Sequence, residues 1–160
     1  MAAQNKIKID SFFVDKMRPE YFKDALKLAI KAQSSFGLTD KVAPSLFFEE
    51  IKQLIIENID SSFVFKTINN KIFAIFIIKL ETTISAELSL VLSDPNITQT
   101  KEMYDTFINI LNSSQFKIFF ARVYKKRKKF KIYLKFLNNL GFTETANDNE
   151  EFTTVSFKKT

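Results

Sequence analysis

The chain has 160 residues, a net charge of +6 and no cysteine, histidine or tryptophan, which excludes disulfides, thiolate nucleophiles, histidine-ligated zinc and every catalytic triad built on histidine. With glycine only at Gly37 and Gly141, neither a Walker A loop nor a GxGxxG dinucleotide turn can be written. Hydrophobic residues at 46% place the chain among domains that fold.

The chain opens MAAQNKIKID, without an apolar signal core, and its longest apolar stretch, Ile72 to Ile78, is too short to span a bilayer. A soluble, cytoplasmic protein with no membrane partner is expected. From Lys6 to Val14, alternating Ile7 and Ile9 predict a first strand. Pro19 then opens a helix in which Phe22, Ala25, Leu26, Ala29 and Ile30 recur at helical spacing, ending near Gly37. Ser45 or Thr39 caps a second helix, with Phe47, Ile51, Leu54, Ile55 and Asn58 along one side.

Three β-rich runs follow, Ser62 to Ile68, Lys71 to Glu81 and Ile84 to Leu92. Asn69 and Asn70 suit the left-handed positions of a tight hairpin, so these strands are expected to be antiparallel neighbours. Ser93 to Asn96 break the third run, and Thr98 to Leu111 reads as a helix with Met103, Phe107, Ile110 and Leu111 inward. A strand at Phe116 to Tyr124 comes next, then a basic helix from Arg127 to Leu140 closed by Gly141. Two short strands, Phe142 to Thr145 and Phe152 to Phe157, finish the chain around a turn at Ala146 to Glu150. The phenylalanines fall mostly at inward periodic positions, which marks them as core packing.

The expected fold is a mixed α/β (α+β) domain over residues 1–160, in the order β-α-α-β-β-β-α-β-α-β-β. Its central sheet is mostly antiparallel, of about six or seven strands flanked by about four helices. That order, in that length, resembles the GNAT acyl-CoA-dependent N-acetyltransferases, and the segment Phe136 to Phe142, FLNNLGF, looks like the family's closing signature. The resemblance implies that the fourth and fifth strands, Ile84 to Leu92 and Phe116 to Tyr124, splay apart. The pantetheine arm of acetyl-CoA then lies in the gap, with its pyrophosphate on backbone amides at the start of the following helix.

The family's phosphate loop, Gln/Arg-x-x-Gly-x-Gly/Ala, matches best at Gln99-Thr100-Lys101-Glu102-Met103-Tyr104, where only Gln99 survives. Glycine serves there because nothing larger lets phosphate oxygens reach the backbone donors of a positive helix end. Glu102 brings a negative charge to that place, and Tyr104 brings a ring. The family's tyrosine that protonates the departing CoA thiolate aligns with Leu137, with Tyr133 one turn earlier; its upstream asparagine aligns with Lys131. Glu87 stands where some members carry a water-linked general base; the plain alternative is an outward strand residue paired with a neighbouring lysine.

Two functions are implied. One is an acetyltransferase with Glu87 as base, Tyr133 as acid, and Gln99, Thr100 and Lys101 holding acetyl-CoA. The other, expected from the departures, is a degenerate member with neither cofactor nor metal, a structural or interaction subunit with a protein partner or larger assembly. It would be similar to degenerate GNAT-like domains of phage particles, located in the host cytoplasm or the virion.

Between Arg122 and Lys135 lie eight Lys/Arg residues and no acid, so the rest of the chain is net negative. Five of them, Lys125, Lys126, Arg127, Lys128 and Lys129, crowd the predicted helix start, where the macrodipole disfavours each cation by about 0.3 to 1 kcal/mol. An anion site accounts for this: nucleic-acid phosphates, an acidic protein surface, or the 3′-phosphate of CoA. Interleaved Tyr124, Phe130 and Tyr133 suit single-strand binding, and a solvated helix face is the alternative.

Overall fold

The computed structural model describes residues 6–36, 44–125 and 130–159. In chain order they form β1 (Phe12–Lys16), a 3-10 turn (Pro19–Tyr21), α1 (Phe22–Phe36), α2 (Pro44–Glu57), β2 (Phe63–Thr67), β3 (Ile72–Leu80) and β4 (Ser85–Ser93). Then come α3 (Lys101–Ser113), β5 (Ile118–Tyr124), α4 (Phe130–Asn139), β6 (Phe142–Asp148) and β7 (Phe152–Lys158). The strands make one sheet in the order β1-β2-β3-β4-β5-β7-β6, antiparallel throughout except for the parallel pair β4–β5. This is the expected mixed, mostly antiparallel architecture.

The β2–β3 hairpin forms where Asn69-Asn70 predicts it. Asn70 takes a left-handed φ of 65°, and the Thr67 amide donates to the Lys71 carbonyl at 2.8 Å. β3 is buried at every residue from Ile72 to Ile78, so both sheet faces are covered. On one face Phe76 meets Phe63 and the α3 residue Phe107, at ring separations of 4.8 and 4.7 Å. Ile75 and Ile77 alternate to the other face, where α1 packs against β3 and β4.

The first strand is not the predicted Lys6 to Val14. Ile7 is exposed and makes an isolated parallel bridge to Ile97; its amide donates to the Asn96 carbonyl at 2.7 Å, and its carbonyl accepts from Thr98 at 2.8 Å. Alternation at Ile7 and Ile9 thus belongs to a segment laced to the loop before α3. The strand starts at Phe12, whose ring packs on Phe65 and Phe73 at 5.0 and 6.0 Å.

In α1 the buried stripe is Ala25, Leu28, Ala29 and Ala32, whereas Ile30 is 56% exposed. Small residues let this helix sit close on the sheet. Ser45 lies inside α2, which begins at Pro44, while Thr39 and Gly37 lie outside the described residues. The last hairpin is longer than predicted: β6 runs to Asp148, and Asn149 Oδ1 closes the turn by accepting from the amides of Glu151 and Phe152 at 2.8 and 2.9 Å. Gly141 follows α4 with φ at +96°, as the helix-stop expectation required.

Candidate functional site

The parallel ladder between β4 and β5 covers only Ser85–Glu87 against Ile118–Phe120. Beyond it β4 stays on β3 as far as Ser93, and β5 stays on β7 as far as Tyr124. Just past the last shared rung, Leu88 pairs with Ile78 and Leu90 with Ile77, which leaves Ser89 as the extra residue of a bulge. A bulge bends its strand and increases local twist, so β4 turns away from β5 at this point. The splay implied by the family resemblance is present.

Glu87 sits at the fork. Its side chain is 8% exposed, and Oε2 accepts from Arg122 Nε at 2.6 Å. In register Glu87 lies across from Phe120, and Arg122 is two residues on, on the same face, within the splayed part of β5. The guanidinium also stands over the Phe152 ring, 5.7 Å from its centroid. The bond to Glu87 is the main cause that raises the Arg122 pKa above its ordinary value. Glu87 is therefore a buried residue paired with an arginine, not an outward residue paired with a lysine, and Arg122 serves this pair rather than a free basic surface.

At the other end of the gap, Thr100 caps α3, its Oγ1 accepting from the Met103 amide at 3.4 Å. The Tyr104 hydroxyl donates to Gln99 Oε1 at 2.6 Å, and its ring lies 6.0 Å from Phe136 of α4. Burial is the main cause that raises the Tyr104 hydroxyl pKa, with Asn139 opposing. Gln99 Nε2 reaches Ser93 Oγ at 3.5 Å, and Lys101 is exposed and pairs along the helix with Asp105 at 3.8 Å. Behind this turn lies a narrow crevice of about 30 Å3, walled by Phe73, Phe76, Met103, Phe107 and Phe136, with Gln99 and Tyr104 among its lining. The structure thus brings Gln99, Thr100 and Tyr104 together around one helix start and fastens them to each other.

Tyr133 is 2% exposed, its ring stacked on Phe136 at 6.2 Å, and Leu137 is fully buried. Lys125, Lys131 and Lys135 are exposed, whereas Lys126, Arg127, Lys128 and Lys129 lie outside the described residues, as does the predicted helix start at Arg127. The Lys125 amide donates to the Glu151 carbonyl at 2.9 Å, which sets the acidic turn of Glu150 and Glu151 beside Lys125.

A polar network that the sequence reading missed joins the chain's start to β2. Lys66 Nζ donates to the Tyr21 hydroxyl at 2.9 Å and lies 3.3 Å from Asp15 Oδ2, while the Tyr21 hydroxyl donates to the same carboxylate. Arg18 adds a pair to Asp15 at 3.5 Å. Register alone could have suggested it, since Asp15 pairs with Val64 and lies diagonally across from Lys66. Among the described residues no cluster of acids could hold a metal, and no helix is long and apolar enough to cross a membrane.

No protein-family model matches the sequence, and no curated protein does. Solved structures do match. A GNAT-family acetyltransferase from Bacillus cereus ATCC 10987 is 17% identical, with a TM-score of 0.64 over 94% of this chain and 99% of that one. PaiA N-acetyltransferase from Thermoplasma acidophilum, solved with coenzyme A, is 12% identical, with a TM-score of 0.72 over 92% and 99%. A chimera of spermidine N-acetyltransferase SpeG from Vibrio cholerae and hSSAT is 11% identical, with a TM-score of 0.64 over 92% and 95%. At such identities the likeness is one of fold, and the chain has the GNAT acetyltransferase fold over nearly its whole length.

Proposed function

We propose that this chain is a GNAT-fold interaction subunit that does not use acetyl-CoA. The observation that carries this reading is the closure of the α3 start, where the Tyr104 hydroxyl is bonded to Gln99 and Thr100 spends its side chain on the Met103 amide. A diphosphate needs bare amides at a helix start. In their place it meets a ring, an internally bonded glutamine and the carboxylate of Glu102, whose charge alone costs about 1 to 4 kcal/mol at a few ångströms.

The Glu87–Arg122 pair supports the same reading. A proton taken by Glu87 at Oε2 must displace a guanidinium held at 2.6 Å. Tyr133, enclosed beside Phe136, reaches solvent hardly at all. A thermal-shift titration tests the proposal, since a ligand bound at 100 times its Kd stabilises by about 2.7 kcal/mol. An unchanged Tm at about 1 mM acetyl-CoA, far above ordinary cofactor affinities, supports the reading; a clear rise overturns it.

The partner of such a subunit is best matched by a polyanion. Five cations run from Lys125 to Lys129, and Lys131 and Lys135 are exposed on the helix that follows, beside a half-exposed Tyr124. Nucleic acid fits this combination of cations and aromatic surface, although the neighbouring Glu150 and Glu151 offset part of the charge.

The second reading is an acetyltransferase with divergent coenzyme contacts, with Glu87 as base and Tyr133 as acid. The retained splay of β4 and β5 favours it, as does the likeness to a fold solved with coenzyme A.

A further inference from the structure

Between α1 and the start of β3 opens a cleft of about 320 Å3, large enough for a small ligand. Leu28 of α1 and Ile72 of β3, both buried, give it an apolar part. Three ammonium groups share the same cleft: Lys27 and Lys31, about one helical turn apart on α1, and Lys71, the residue before β3. Lys31 lies 3.5 Å from Asp94, whose side chain is only 4% exposed and whose Oδ1 accepts from the Asn96 amide at 2.9 Å. Among the described residues neither Lys27 nor Lys71 makes an ion pair. Two unpaired ammoniums from two separate elements therefore flank an apolar surface, and a third is held beside them by a buried acid. No residue of the α3 turn lines this cleft.

We propose that this cleft binds a small phosphate monoester, its phosphate bridged between Lys27 and Lys71 and steadied by Lys31. A compact dianion answers three ammonium groups better than a single carboxylate does, and lysine binds phosphate as a point charge on a flexible stem, with no fixed fork to align. The organic part of the ligand lies along Leu28 and Ile72, where it leaves water. Asp24, the remaining charged residue of the lining, stands about two turns from Lys31 on α1 and repels a second negative charge at that end. It selects a ligand charged at one end only, over a polyphosphate or a nucleic-acid strand. The cleft and the cations from Lys125 to Lys129 thus take different ligands. The proposal is independent of whether acetyl-CoA binds.

Titration of the full chain with phenyl phosphate and with inorganic phosphate, followed by backbone amide NMR at about 20 mM salt, tests it. Phenyl phosphate should bind with a Kd on the order of 1 mM or tighter, and inorganic phosphate about tenfold more weakly, since it has no apolar part to bury. The amides that shift should be those of Lys27, Lys31, Lys71 and Ile72. Lys27→Gln and Lys71→Gln should each weaken phenyl phosphate by about tenfold with Tm kept, because neither ammonium is paired within the fold. Lys117→Gln, an exposed lysine on another element, should change nothing. If one of the two cleft variants does not fold, the other decides. The absence of a saturable shift at about 20 mM phenyl phosphate overturns the proposal. So do equal affinity for the two probes, shifts confined to the basic segment, or binding indifferent to both cleft substitutions.

Discussion

The Nε of Arg122 donates to the carboxylate of Glu87 across the point where β4 and β5 part, at 2.6 Å. One partner is buried and the other about a third exposed, so the two halves of the pair are not equivalent. Arg122→Ala strands a buried carboxylate and should cost about 2 to 3 kcal/mol, below the full cost of breaking a buried pair because water reaches the arginine side. Glu87→Gln keeps an acceptor for Nε and should cost about 1 kcal/mol. Urea unfolding of the two variants checks the order; equal losses would show that the pair is not held as described.

The Asp15 network predicts a pH dependence. The Tyr21 hydroxyl chiefly, with burial opposing and Lys66 adding, holds the Asp15 carboxyl below its ordinary 3.8. A carboxyl with a depressed folded pKa contributes stability above its unfolded pKa and loses it as pH falls through the folded one. Lys66 is shifted up, chiefly by Tyr21, so its contribution is whole below its ordinary 10.5 and is lost as pH rises through the folded value. Thermal melts from about pH 6 to about pH 2 should show a steeper acid loss in the native chain than in Asp15→Asn. Parallel curves would remove Asp15 from the account.

Gly141 stands at φ +96°, and a Cβ there would lie 3.0 and 3.2 Å from the Phe157 ring. Left-handed backbone and a buried aromatic ring both resist the added methyl. Gly141→Ala should therefore destabilise by about 2 kcal/mol, measured by chemical unfolding, with the native fold retained.

Replacing Lys125, Lys126, Arg127, Lys128 and Lys129 together by Gln should abolish salt-dependent retention on a DNA column. If the native chain is not retained at about 50 mM salt, nucleic acid is excluded as the partner and an acidic protein surface takes its place.

Local chemistry made much of the fold legible before any coordinates. Asn69-Asn70 and Gly141 suit left-handed backbone, and the structure puts Asn70 and Gly141 there but not Asn69. Helical spacing at Met103, Phe107 and Leu111 becomes the buried face of α3. What misled was alternation without a neighbour: Ile7 and Ile9 carry a strand pattern, yet Ile7 is tied to Asn96 and Thr98 near α3. The site was legible as a set of departures from a motif, not as contacts. Glu87 and Arg122 are 35 residues apart and meet only because the parallel ladder sets Glu87 against Phe120. Tyr104 announced its bulk, but its bond to Gln99 depends on how the loop enters the helix.

Whether the α3 turn, filled by its own side chains, still admits a diphosphate is measured most directly by calorimetry with acetyl-CoA on two proteins side by side. The native chain should give no binding heat at about 1 mM ligand, while Glu102→Gly combined with Tyr104→Ala, which rebuilds the bare turn, should bind at about 100 µM or tighter. Micromolar binding by the native chain would contradict this.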